Sequence, residues 1–109
     1  QPAKQKELLE RALVIKEHHY GPDHYEVART VSSLGNAFGL LGQPAKQKEL
    51  LESVLPIFER HYGSDHEYVR LTHTELASAY GALGQPDKQQ EMLNRAQENS
   101  CAPGVYAIL

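Results

Sequence analysis

The chain has 109 residues, enough for one ordinary domain, and its content of 40% hydrophobic and 23% charged residues is typical of a folded globular protein. With 11 basic and 14 acidic residues, the formal net charge is −3, which argues against a nucleic-acid partner because phosphate binding needs a concentrated basic surface. No apolar run approaches the roughly 20 residues of a membrane-spanning helix, so a membrane partner is not expected.

The sequence contains an internal repeat, and this repeat determines the expected fold. Residues 1–10 read QPAKQKELLE, and residues 43–52 read the same ten letters, at an offset of 42 positions. A third copy starts at Gln85 and fades after Asn94. Duplicated units in similar environments are typical of solenoids, in which each unit packs against its neighbours.

Each unit contains two helical patterns, separated by glycine and proline residues. In the first pattern, Leu8, Leu9, Ala12 and Leu13 recur at helical spacing. Strands are not expected, because no stretch shows a sustained alternation of polar and β-branched residues. The sequence therefore predicts an all-α fold of about five helices. In chain order, the expected helices are Pro2–His19, His24–Leu41, Pro44–His61, His66–Leu83 and Pro86–Glu98.

Local signals place the helix ends. Asp23 is the expected N-cap of the second helix, because aspartate side chains accept hydrogen bonds from the first helical N–H groups. Gly42 suits the left-handed position that follows the end of this helix. Pro56 lies inside the third helix, where a kink is expected rather than a stop, since Ile57 and Phe58 continue the apolar pattern.

The first helix of each complete unit resembles the first helix of a tetratricopeptide repeat, in which a Leu-Gly pair, an aromatic residue and a closing glycine recur. The matching residues are Leu34, Gly35, Phe38 and Gly42 in one copy and Leu76, Ala77, Tyr80 and Gly84 in the next. The period of 42 residues and the Tyr-Gly-(Pro/Ser)-Asp-His turn before this helix resemble the kinesin-light-chain-like subclass of the family.

This resemblance implies a right-handed α-solenoid of antiparallel helix pairs over residues 1–99. The array would comprise the second helix of one unit, a complete unit at 22–62 and another at 64–99. Residues 100–109 would form a C-terminal tail, which we expect to pack as a cap on the last helices or on a neighbouring molecule. The sequence departs from the family where a small residue of the second helix is replaced by glutamine, at Gln5, Gln47 and Gln89.

The six histidines invite a metal-site hypothesis, since imidazoles and carboxylates are common zinc ligands. However, Asp23 with His24 and Asp65 with His66 recur with the structural unit at the helix starts, which favours a capping and turn role. We therefore expect no metal and no cofactor. His73 lies on the buried face of its helix, where a hydrogen-bonded core histidine is expected.

No catalytic motif accompanies these residues. The glycines are not followed by the Lys-Ser/Thr of a phosphate loop, and Ser32 and Ser33 have no base at a convincing spacing. The single cysteine, Cys101, cannot form an internal disulfide, which favours a reduced intracellular protein. The chain is therefore expected to be a cytoplasmic protein without enzymatic activity.

Opposite the core stripe, the first helix of each complete unit presents a polar face. In a tetratricopeptide solenoid this face lines the concave groove, so the resemblance implies a peptide-binding surface. Arg29 and Asn36 would suit hydrogen bonding to a peptide backbone. The expected groove residues are Arg29, Ser32, Ser33, Asn36, Leu40, Leu71, Thr74, Glu75 and Ser78.

The expected function is a non-enzymatic interaction module that binds a protein or peptide ligand in this groove. Two alternatives stay open, namely a structural, self-associating segment of a longer repeat array and a sensor arm of a larger signalling protein. The chain opens with a second helix and no first helix before it, so Leu8, Leu9 and Ala12 would form an uncovered apolar stripe. We expect self-association through this stripe, or an upstream helix of a longer array that covers it.

Overall fold

The computed structural model describes residues 1–100, with side chains described as far as residue 97. Its helices are α1 (Pro2–Tyr20), α2 (Tyr25–Leu40), α3 (Pro44–Tyr62), α4 (Glu67–Ala82) and α5 (Pro86–Ser100). No strand occurs in this range, so the all-α prediction is confirmed, and each helix begins and ends within two residues of its expected bounds. The expected cap at 100–109 lies outside the described residues, apart from Ser100 at the end of α5.

Successive helices pack against one another in a zigzag. α1 contacts α2, α2 contacts α3, α3 contacts α4, and α4 contacts α5. Within residues 1–100, the one further contact between helices joins α2 to α4. This pattern places α2 and α4 side by side in one layer and α1, α3 and α5 in the other, which is the arrangement of an α-solenoid.

The core lies between α2, α3 and α4, and α3 supplies its centre, with Leu51 at 0% and Val54 at 1% exposure. The Tyr80 hydroxyl of α4 donates a hydrogen bond to the Glu52 carboxylate of α3, and this bond together with burial raises the pKa of Tyr80 to about 12. One buried cluster comprises Ala28, Val54, Phe58 and Val69, and a second comprises Leu51, Leu76 and Tyr80.

α1 and α3 begin with the same ten-residue segment but differ in burial. α1 contains no buried residue. The buried residues of α3 are Gln47, Leu51, Val54 and Phe58. The difference comes from packing, because α3 lies between α2 and α4, whereas α1 contacts α2 alone among the described helices. Burial at these positions therefore depends on the neighbouring helices rather than on the local sequence.

Two of the glutamines that depart from the family pattern, Gln47 and Gln89, pack against glycines of the preceding helix. A Cβ atom added at Gly39 would lie 2.7 Å from the Gln47 amide, and one added at Gly81 would lie 2.6 Å from Gln89 Nε2. The glutamine side chain thus occupies the space that a larger residue would need on the facing helix. The glycines therefore accommodate the glutamines, and the helix pair packs closely.

The prediction that Asp23 caps α2 is wrong. The N-cap is His24, whose Nδ1 accepts a hydrogen bond of 3.0 Å from the Glu26 N–H. His66 caps α4 in the same way, with Nδ1 accepting from Tyr68 N–H at 3.0 Å. The physical reason is position: α2 starts at Tyr25, so His24 directly precedes the first helical residue and Asp23 lies one residue too early.

Replacing His24 by alanine should lower the free energy of unfolding by about 1 kcal/mol, because the Glu26 N–H loses its acceptor. His24→Asn should recover part of this loss, since asparagine is a strong N-cap, although the ring stacking of His24 on Tyr20 is lost as well. Asp23→Ala should change little. Thermal denaturation followed by circular dichroism measures all three variants, and a larger loss for Asp23→Ala than for His24→Ala would contradict this assignment.

Three other local expectations can be compared with the structure. Gly42 has a φ of +77°, which confirms its left-handed position after α2. α3 continues through Pro56 to Tyr62, so the proline does not end the helix, as expected. His73 is buried at 2% exposure, but neither ring nitrogen has a hydrogen-bond partner among the described residues, so the expectation of a hydrogen-bonded histidine is wrong.

Candidate functional site

An open groove runs along one face of the solenoid, where α1, α2 and α4 approach one another. Its volume is about 450 Å³, which lies within the range of about 300–1,000 Å³ that is usual for ligand sites. Its lining comprises Leu9, Ala12 and Lys16 of α1, Arg29, Thr30, Ser32 and Ser33 of α2, Phe58 of α3, and Tyr68, Leu71, Thr72 and Glu75 of α4.

The structure brings together part of the predicted groove set. Five of the nine residues line the groove, namely Arg29, Ser32, Ser33, Leu71 and Glu75. Thr74 lines a different, smaller pocket toward α5, and its hydroxyl donates to the Arg70 carbonyl at 3.1 Å. Leu40 is 70% exposed and, like the exposed Ser78, does not line the groove.

Asn36 connects the two groove helices. Its Nδ2 donates to Glu75 Oε2 at 2.7 Å, so α2 and α4 are joined by a hydrogen bond between residues 39 positions apart. Burial raises the pKa of Glu75, and the hydrogen bond from Asn36 partly opposes that shift. A ligand that uses the Asn36 amide would therefore have to share or displace Glu75.

The opposite end of the groove carries two cations. Arg29 Nη1 donates to Glu26 Oε1 at 3.3 Å, and Lys16 Nζ lies 4.0 Å from the same oxygen. The Arg29 guanidinium also lies 5.9 Å from the centre of the Tyr68 ring. Because two cations share one carboxylate, this end keeps a net positive charge, while Glu75 lies at the other end.

Between these ends, the groove is lined by apolar side chains together with the serines of α2. Leu71 is 47% exposed, and Leu9 and Ala12 are half-buried and line the same groove. The hydroxyls of Thr30 and Thr72 donate to main-chain carbonyls of their own helices. Their protons are therefore already used in hydrogen bonds to the backbone and are not offered to a ligand. The sequence did not predict that α1 contributes to the groove, because that contribution depends on how α1 packs beside α2.

Of the three residues predicted for self-association, Leu8 is the most exposed, at 55%. Leu9 and Ala12 are half-buried and line the groove. The stripe therefore continues around α1 from the groove to solvent, and Ile15, which is 69% exposed, extends it toward the end of the helix.

Four of the six histidines, namely His19, His24, His61 and His66, lie near the turns of the solenoid and pack against tyrosines. Tyr25 stacks on His61 with ring centres 3.9 Å apart, and Tyr62 stacks on His66 at 4.3 Å. Among the residues that the structure describes, no group of three or more histidine, cysteine, aspartate or glutamate side chains could hold a metal ion. No helix in the same part of the chain is long and apolar enough to cross a membrane.

The packing of α2–α5 as stacked antiparallel pairs defines a tetratricopeptide-type solenoid, and residues 27–68 match the family model described as tetratricopeptide repeat. Residues 27–68 therefore correspond to a tetratricopeptide repeat. A candidate kinesin light chain from Podosopora anserina, whose structure contains nearly identical TPR-like repeats, is similar over 88% of this chain at 30% identity and a TM-score of 0.80. The structure of a single-residue variant of that protein gives the same identity and a TM-score of 0.79.

The chain spans less than half of these two structures, covering 46% and 45% of their lengths. No curated protein matches the chain. The expected resemblance to the kinesin-light-chain-like subclass is confirmed by these structural relatives. Tetratricopeptide repeats generally mediate protein–protein interactions and are generally non-enzymatic modules.

Proposed function

We propose that the chain is a non-enzymatic interaction module that binds a peptide segment in the groove between α1, α2 and α4, in the cytoplasm. The observation that supports this proposal is the separation of charges along the groove. Arg29 and Lys16 share a single carboxylate at one end, Glu75 lies at the other, and the exposed Leu71 lies between them.

This arrangement favours a particular order of residues in the ligand. An acidic residue would pair with Arg29 or Lys16, an apolar residue would cover Leu71, and a lysine, arginine or amide donor would reach Glu75. The apolar contact would supply most of the affinity, because exposed ion pairs are each worth about 1 kcal/mol or less. The charges would fix the direction of the peptide.

Leu71→Ser should weaken peptide binding at least tenfold, corresponding to about 1.4 kcal/mol, because the apolar contact at the groove centre is lost. The probe is a fluorescent peptide series with an acidic residue, a leucine and a lysine at varied spacing, titrated by anisotropy. Leu40→Ser is the matched control, since Leu40 is an exposed leucine outside the groove. Equal losses for the two variants, or no binding by any peptide, would contradict the proposal.

A second candidate function is self-association through Leu8, Leu9 and Ala12, favoured by the 55% exposure of Leu8. Sedimentation across a concentration series should then show a mass that rises with concentration. Changing Leu8 and Leu9 to serine should restore a monomer without loss of helix content. A strict monomer whose stability is indifferent to these changes would exclude this candidate.

A further inference from the structure

The hydrogen bond between Asn36 and Glu75 joins α2 to α4 on the groove side of the molecule. Asn36 Nδ2 donates to Glu75 Oε2 at 2.7 Å, and α2 with α4 is the one pair of helices in the described chain that touch within the same layer. α2 is packed between α1 and α3, and α4 between α3 and α5. The surroundings of this bond are therefore determined by helices that the structure describes.

Both members of this bond depart from the internal repeat. The counterpart of Glu75 in the preceding copy is Ser33, and the counterpart of Asn36 in the following copy is Ser78. Both serines are exposed, whereas Asn36 and Glu75 are half-buried. A carboxylate and an amide thus meet across α2 and α4 at positions where the other copy has hydroxyls.

The charge of Glu75 is not compensated by its surroundings. Among residues 1–97, no lysine, arginine or histidine forms an ion pair with this carboxylate. Burial raises the pKa of Glu75, and the neutral Asn36 amide opposes this shift. Arg29 lines the same groove but pairs with Glu26 instead. Glu75 is therefore a half-buried anion whose hydrogen-bond donor carries no charge.

A positive charge on the ligand complements this carboxylate best. A neutral amide would compete with Asn36 for the Glu75 oxygens without compensating the charge. An ammonium or guanidinium group compensates the charge and also donates a stronger hydrogen bond. Because Glu75 is half-buried, solvent screens such a pair less than it screens a fully exposed pair.

The position of Glu75 relative to Leu71 determines the spacing in the peptide. These residues are four positions apart on α4 and line the same groove, so they are separated by about 6 Å along the helix axis. In an extended peptide, alternate side chains point to the same side and are about 6.6 Å apart. A basic residue two positions from the apolar residue that covers Leu71 therefore reaches Glu75.

We propose that Glu75 selects peptides with a lysine or arginine two positions from their apolar residue, and that acid abolishes this selection. A proton on the carboxylate removes the charge that the basic residue needs. Asn36 determines how acidic the solution must be, because its hydrogen bond favours the charged carboxylate. The inference rests on the proposed function, and it adds which residue of the ligand is selected and how pH regulates that choice.

The test uses the full chain and two fluorescent peptides, each with an acidic residue and a Leu-x-Lys segment, that differ only in acetylation of the lysine. The acidic residue is common to both, so its own titration cancels in the ratio of the two affinities. At pH 7.5, the lysine peptide should bind the wild type about fivefold more tightly. This ratio should approach one as the pH is lowered to 4.5, the ordinary pKa of glutamate, because burial raises the pKa of Glu75 above that value. Anisotropy gives the affinities, and circular dichroism at each pH checks folding.

Two variants distinguish selection of the ligand from a bond that only joins the helices. Glu75→Gln keeps an oxygen that can accept from Asn36 but has no charge, so the two peptides should bind it equally at pH 7.5. Asn36→Ser, which introduces the residue of the following copy, should move the loss of selection to higher pH, because the hydrogen bond that favours the charged carboxylate is removed. If both variants change the thermal stability but keep the wild-type ratio of affinities, the bond is structural and the inference is overturned.

Failure of this inference can be told from failure of the groove proposal. If neither peptide binds the wild type, the groove proposal fails, and this inference fails with it. If both peptides bind the wild type equally at pH 7.5, or if the ratio of affinities does not change with pH, peptide binding stands and selection by Glu75 is overturned.

Discussion

Leu51→Ala should lower the free energy of unfolding by about 3 kcal/mol, whereas the same change at Leu9 should cost only about 1 kcal/mol. Leu51 is at 0% exposure between α2 and α4, so its removal leaves a cavity that rigid neighbours on both sides cannot fill. Leu9 is half-buried and borders an open groove, so solvent and nearby side chains fill the vacated space.

This pair of variants has an internal control that few proteins offer. Each leucine is the ninth residue of the same ten-residue segment, so differences in helix propensity cancel between the two changes. In urea denaturation, the midpoint concentration should fall much more for Leu51→Ala than for Leu9→Ala, while the m-value stays the same for both variants. Equal shifts would mean that α1 is as well covered in solution as α3.

The stability of the protein should fall as the pH is lowered below about 6.5, the ordinary pKa of histidine, and His73 should account for part of this fall. Burial lowers the pKa of His73, so the folded protein holds the ring neutral. The unfolded chain therefore binds a proton at a higher pH than the folded chain does. The contribution of His73 to the free energy of unfolding is fully present above the pKa that this residue has in the unfolded chain. As the pH falls, this contribution decreases until the pH reaches the lower pKa of His73 in the folded protein.

Charged groups on both neighbouring helices face His73. Glu59 of α3 opposes the lowering of the pKa, whereas Arg95 of α5 adds to it. The Val69 carbonyl, one turn earlier on α4, also opposes the shift, although it does not meet hydrogen-bond geometry with the ring. Burial is the largest of these effects, so the direction of the pH dependence follows from desolvation.

His73→Val, which introduces the residue that the previous copy carries at Val31, removes this titration. Thermal or urea denaturation between pH 7.5 and 5 should show a shallower pH dependence for the variant, with a difference in slope of at most about 1.4 kcal/mol per pH unit. The other five histidines are present in both proteins, so subtraction cancels their contribution. Parallel stability curves for the two proteins would show that His73 does not titrate differently on folding.

The helices could be predicted from the sequence because their signals are local and repeated. Glycines and prolines mark the turns, and the apolar spacing within each helix occurs in several copies, so the boundaries agree closely. The N-cap was assigned wrongly because Asp23 has the stronger general preference, whereas the start of α2 at Tyr25 makes His24 the capping residue. Sequence patterns do not place the start of a helix to within one residue.

The candidate site could be predicted only in part, because it combines residues from several helices. Helical periodicity placed Arg29, Ser32 and Ser33 on one face of α2, and the structure places them in the groove. Periodicity within one helix carries no information on the hydrogen bond between Asn36 and Glu75 or on the position of Lys16. Those features depend on the distance and angle between neighbouring helices, which no single-helix pattern specifies.

The zigzag of contacts has a consequence for how the molecule loses its structure. With each helix held mainly by the helices before and after it, the described chain approximates a one-dimensional series of coupled units. The helices at its two ends contact one helix each, whereas α2, α3 and α4 contact two or three, so amide protons should exchange with solvent first in α1 and α5 and last in the three central helices. Unfolding in such a series proceeds from the ends inward.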